Sequence, residues 1–100
     1  MPYILMDPGE LLDFTFSWEP FLEEGGSPSD TLLSASWSIT PANAGSPSEP
    51  AITGELVSGV LTTCFVNGVL RGVVYRLTCR ATTSMGRISE QSITLRGGER

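Results

Sequence analysis

Apolar and polar residues alternate with a period of two over most of this chain, the spacing of strands that bury one face and wet the other. The clearest run is 72–95, GVVYRLTCRATTSMGRISEQSITL. Its first half places Tyr75, Leu77, Cys79 and Ala81 on one side and Val74, Arg76, Thr78, Arg80 and Thr82 on the other. Its second half ends in Ile93 and Leu95, which share a parity and close the same core. The pattern predicts a β-hairpin turning at Ser84-Met85-Gly86-Arg87. Gly86 is expected at the left-handed position of that turn, because it alone takes positive φ there without a steric cost.

Upstream, 13–18 alternates strictly, with Phe14, Phe16 and Trp18 on one face, and three aromatic rings supply much of the apolar area of a small core. Residues 30–39 put Leu33, Ala35, Trp37 and Ile39 on one face and serines opposite. Residues 51–57 read as a short strand broken at Gly54, and 60–66 as a better one with Val60, Thr62, Cys64 and Val66 on one parity. Asn67-Gly68 after it has the composition of a type I′ turn. By composition 19–29 is a loop in which Phe21 and Leu22 cap one end of the core, and 40–50 is an exposed loop, either idle or a contact loop.

No helical period is visible. Five or six strands at spacings of about ten to fifteen residues are the pattern of an all-β sandwich or barrel, and the expected fold class is all-β, a small antiparallel β-sandwich of about six or seven strands. It divides into an extended N-terminal arm over 1–12, the sandwich over 13–96 and a flexible tail over 97–100. The arm's apolar cluster, Tyr3, Ile4 and Leu5 ahead of Asp7, needs somewhere to dock: the domain's own edge or a neighbouring subunit.

Composition narrows the chemistry. With 100 residues the chain makes one domain, and it has no His and no Lys. The usual proton shuttle, the commonest metal ligand and the Schiff-base nucleophile are all missing. Two Cys without His cannot complete a structural zinc set, and Glu23-Glu24 reads as a solvated charge run rather than a catalytic pair. No enzymatic activity, cofactor, metal or small-molecule substrate is expected. Cys64 and Cys79 are expected as free buried thiols ahead of a bridge, since disulfide scaffolds carry more cysteine. Residues 1–6 lack the basic start and apolar length of a signal peptide, and no apolar run is long enough for a membrane span.

The net charge of −5 conceals a segregation along the chain. Residues 1–70 hold nine of the acids and no base, whereas all six Arg fall in 71–100 against Glu90 and Glu99. Either acidic loops neighbour the Arg-bearing hairpin within one molecule, or an Arg surface meets an acidic surface on another protein. Nucleic acid is not an expected partner, because no basic run tracks a phosphate backbone.

The segments DPGELLDFTFSW, DTLLSASWSI, TTCFVNGV and VVYRLTCRATTSMGRISEQSITLR together resemble a family of small tailed-bacteriophage virion proteins of the fibre-tail adaptor type. The matching positions are Asp7, Pro8, Glu10, Leu12, Asp13, Trp18, Asp30, Trp37, Gly68, Tyr75, Thr82, Thr83, Gly86, Arg87, Glu90 and Ser92. Phe65 stands where that family shows Trp. The resemblance implies an immunoglobulin-like β-sandwich that serves as a structural component of the particle. It would link fibres or other peripheral proteins to the tail or connector in multiple symmetric copies, after assembly in the host cytoplasm.

On that reading the partner-binding residues are expected to be Arg76, Arg80, Arg87 and Glu90 on the hairpin, with Tyr3, Ile4, Leu5 and Asp7 on the arm. The alternative is a capsid decoration or cement protein, or a sugar-binding surface sandwich that exposes Trp18, Trp37 or loop residues to a sugar or capsid. Both tryptophans fall on the apolar parity of their strands, which favours core packing.

Overall fold

The computed structural model describes residues 3–24, 30–41 and 50–98. Along the chain come β1 (Ile4–Met6), β2 (Leu11–Ser17), α1 (Glu19–Glu24), β3 (Leu32–Pro41), β4 (Ala51–Ser58), β5 (Leu61–Asn67), β6 (Val74–Thr83) and β7 (Ile88–Gly97). They make a sandwich of a four-stranded sheet, β1-β7-β6-β3, and a three-stranded sheet, β2-β5-β4. Neighbours are antiparallel except β1, which runs parallel to β7 with Met6 opposite Gly97.

The inward parities are those the alternation gives. Phe14, Phe16, Thr62, Cys64 and Val66 face Trp37, Ile39, Tyr75, Leu77, Cys79, Ala81 and Leu95, all buried. Phe16 and Trp37 join the layers, with ring centroids 5.0 Å apart. A buried polar chain runs through the middle: Trp18 Nε1 donates to Thr62 Oγ1 at 2.9 Å, which lies 3.4 Å from Cys79 Sγ. Both cysteines are free.

Within the predicted arm, Met6 is fully enclosed and the apolar cluster lies on the domain's own edge. Gly97, read as the start of the tail, is the last residue of β7. The parts of the predicted loops at 25–29 and 42–49, and the tail end at 99–100, lie outside the described residues.

Four local expectations need correction. The loop at 19–29 begins with helix α1, which is six residues long and so too short to display a helical period. Pro20 sits in its first turn, where a missing N–H costs nothing, and Leu22 anchors it in the core. Leu33, expected inside, is 67% exposed, because a register shift between Leu32 and Ser34 turns Leu32 inward in its place. Gly54 does not break β4: a register shift between Thr53 and Leu56 takes it up at φ 62°.

Asn67-Gly68 is not a type I′ turn either. Gly68 alone takes positive φ, 89°, and the link carries the chain from the three-stranded sheet to the other as Val69 enters the core. Tyr75 fastens this crossing, its buried hydroxyl accepting the Leu70 N–H at 2.8 Å. Gly97 fits against the same segment, where a Cβ would run into the Leu70 carbonyl.

Candidate docking surfaces and the Arg87 clip

The β6–β7 hairpin turns at Ser84–Arg87 as its sequence predicts, with Gly86 at φ 87°. The turn closes on itself through Gly86 N–H to Thr83 O at 3.0 Å and Arg87 N–H to Thr83 Oγ1 at 3.0 Å. It is also tied to the chain just before β3. Asp30 Oδ1 accepts from Ser84 Oγ at 3.1 Å and from the Met85 N–H at 3.0 Å, while Oδ2 receives Arg87 Nε at 3.0 Å.

The rest of the Arg87 guanidinium caps the end of α1. Its terminal nitrogens donate to Phe21 O at 3.3 Å and Leu22 O at 3.4 Å, two carbonyls near the C-terminal end of the helix. Its Cζ lies 4.4 Å from the centre of the Phe21 ring. One arginine therefore clips a turn, a helix end and the entry to β3 together. Burial raises the Asp30 pKa, but the hydrogen bonds from Met85 N–H, Arg87, Thr83 and Ser84 outweigh it and hold the carboxyl below its ordinary 3.8.

Arg76 and Arg80 sit elsewhere. They point outward from β6 on a serine- and threonine-rich face of the four-stranded sheet, and both are exposed. Glu90 lies directly across from Arg80 in the register. Among the described residues the side chains of Arg76, Arg80 and Glu90 have no hydrogen-bond or ion-pair partner.

Near the opposite end of this sheet, Tyr3 lies against Arg96, with its hydroxyl 3.3 Å from Nη1 and its ring centre 5.6 Å from Cζ. Ile4 is exposed and Leu5 half-buried. Asp7 serves its own turn: its Oδ1 accepts the Gly9 N–H at 3.0 Å, and its N–H donates to Glu10 Oε1 at 2.8 Å.

The eight expected binding residues thus divide into an outward group of Arg76, Arg80 and Glu90, a separate group of Tyr3, Ile4, Leu5 and Asp7 around β1, and Arg87 within the clip. Sequence reasoning missed Asp30 as the partner of Arg87 and Arg96 as the partner of Tyr3. Neither pairing has a local signal, since each joins residues far apart in the chain.

A cleft of about 490 Å³ is lined by Leu22, Asp30, Leu32, Leu33 and Val57 among others, but its one charged group is already held by Arg87. Among the described residues no cluster of His, Cys, Asp or Glu could hold a metal ion, and no helix is long and apolar enough to cross a membrane.

The described residues form a small two-sheet sandwich in which the Asp30–Arg87 pair holds a turn and the Tyr75 hydroxyl holds a crossing, while Arg76 and Arg80 stand on an open sheet face. The sequence profile of the podophage GP4 fiber-tail adaptor protein gp77 matches residues 6–96, and the chain belongs to that family of phage structural adaptors. The family implies binding to other phage tail or fibre proteins and a place in the virion. No curated protein matches the chain.

Proposed function

We propose that this protein links fibres or other peripheral proteins to the tail or connector of a tailed phage, present in several copies, and that it docks through the outward face of β6 and β7. The observation that carries this reading is the exposed pair Arg76 and Arg80, which have no side-chain partner among the described residues, on a sheet face rich in Ser and Thr whose outward parity also holds Glu90, Arg96 and Ile88. Planar guanidinium groups suit ion pairs at interfaces, and repeated weak contacts around a symmetric particle add up. The β1 segment with Tyr3, Ile4 and Leu5 extends this face at its far end.

The immunoglobulin-like expectation is supported by strand order. Lettered in sequence from β1 as A, the sheets read B-E-D and C-F-G, with the first strand beside the last. A core Trp on the third strand and a Tyr near the start of the sixth that hydrogen-bonds back to the preceding backbone fit the same pattern. A sugar-binding reading through the two tryptophans loses support, because Trp18 and Trp37 are buried.

Mass spectrometry of purified particles tests the role, and Arg80→Glu tests the face. The chain should be a virion component, and particles grown with the variant should lose the chain or the proteins it carries. Particles without the wild-type chain, or fully assembled with Arg80→Glu, would defeat the reading.

A further inference from the structure

The charge segregation along the chain becomes a segregation between the two faces of the sandwich. Strands β2, β4 and β5 come from residues before 70 and bring Asp13 and Glu55 with no cation. Strands β6 and β7 bring Arg76, Arg80 and Arg96 against Glu90, while β1 and β3 carry no charge. One sheet is acidic and the other basic.

The acidic sheet also carries large apolar residues on its outside. Leu11, Leu56, Leu61 and Phe65 are 59%, 60%, 41% and 39% exposed, and all lie on its outward parity. At the centre of this face Asp13 and Phe65 are direct cross-strand partners, and the Phe65 ring rests against Gly54, where a Cβ would come within 2.9 Å of it. The Asp13 side chain has no partner among the described residues.

A carboxylate beside an aromatic ring is the arrangement that holds Arg87 inside the molecule, through Asp30 at 3.0 Å and the Phe21 ring at 4.4 Å. The outward Asp13–Phe65 pair presents the same two groups without an arginine, and Arg76 and Arg80 are arginines without such a pair. We propose that the Asp13–Phe65 face of one copy receives the Arg76/Arg80 face of a second copy of this chain, front to back. The identification rests on the reading that the Arg76/Arg80 face docks a protein, and it names that protein.

Two acidic faces would repel each other, so a symmetric front-to-front dimer is disfavoured and the contact is heterologous. A heterologous contact leaves a free front and a free back at the ends and propagates into a ring or a stack.

Sedimentation velocity on the full chain from micromolar to millimolar concentration reads this out. The wild type should grow beyond a dimer with concentration and weaken as salt rises. Asp13→Arg and Arg80→Glu should each weaken self-association by about tenfold or more. Both sites are exposed, so melting curves of the two variants should stay close to wild type.

Mixing the two variants should restore association, because the intact back of Asp13→Arg meets the intact front of Arg80→Glu, and the two charge-reversed faces are complementary as well. Wild type that stays monomeric throughout, or association that the mixture does not restore, overturns the proposal. Wild-type monomer together with loss of Arg80→Glu from particles would leave the docking role standing and assign the Arg face to a different virion protein.

Discussion

Arg80 and Arg87 belong to the same hairpin and look alike in the sequence, yet their surroundings assign them opposite roles. Arg87→Ala removes an ion pair, the cap on α1 and the contact with Phe21, and leaves the enclosed Asp30 carboxylate without its cation. Thermal denaturation should show a melting temperature lowered by several degrees. Arg87→Lys should not restore it, since an ammonium cannot reach the carboxylate and both helix carbonyls at once. Arg80→Ala should stay within about 0.5 kcal/mol of wild type, as for other open surface positions. Equal melting temperatures for the two alanine variants would show that the clip holds nothing. Acid should act on the same contact. A carboxylate with a depressed folded pKa adds stability that is fully present above its ordinary value and is lost as pH falls through the folded value. Stability should therefore drop below about pH 3.8, and Asp30→Asn should flatten that acid limb while lowering stability at neutral pH.

Among the elements, strands were legible wherever period-two alternation ran unbroken, as in β2, β5 and the β6–β7 hairpin with its turn. Alternation assigns faces only while the register holds. Leu33 was misplaced because a bulge beside it exchanges the faces, and nothing in a run of two leucines shows which one turns inward. α1 was illegible because six residues complete fewer than two turns, and much of what holds it comes from Arg87, far along the chain. Of the candidate site, the outward arginines followed from parity, whereas the Asp30 clip and the Asp13–Phe65 pair depend on which strands become neighbours. The crossing from β5 to β6 is a similar long-range device and can be tested at two points. Tyr75→Phe leaves the Leu70 N–H without its acceptor and should cost about 1–3 kcal/mol. Gly97→Ala drives a methyl into the Leu70 carbonyl, a backbone group that cannot swing aside, and should cost about 1–3 kcal/mol. Urea denaturation measures both. A neutral Gly97→Ala would mean that the crossing yields more easily than its hydrogen bonds to Tyr75 and Gly97 suggest.

For the whole molecule, the decisive arrangement is two sheets that spend their inward faces on each other and keep opposite charges for the outside. Cys64 on β5 and Cys79 on β6 lie in different sheets and are both fully buried, so they report on whether the layers are closed. Burial pushes the Cys64 thiol up to about 12, with the Cys79 thiol and Glu55 adding to it. Burial raises Cys79 as well, against a hydrogen bond with Thr62 that pulls it down. Neither residue is a nucleophile in the folded state at mildly alkaline pH, because the thiolate is the reactive form and almost none is present. A thiol reagent at about pH 8 should therefore leave the native protein unmodified and label both cysteines together once denaturant opens the sandwich. The labelling rate without denaturant then follows the population of the open form, so Arg87→Ala should speed the labelling of both residues by the same factor that it lowers stability. Rapid native-state labelling of one cysteine alone would show that its strand opens independently of the other sheet, and the two layers would then not unfold as one unit.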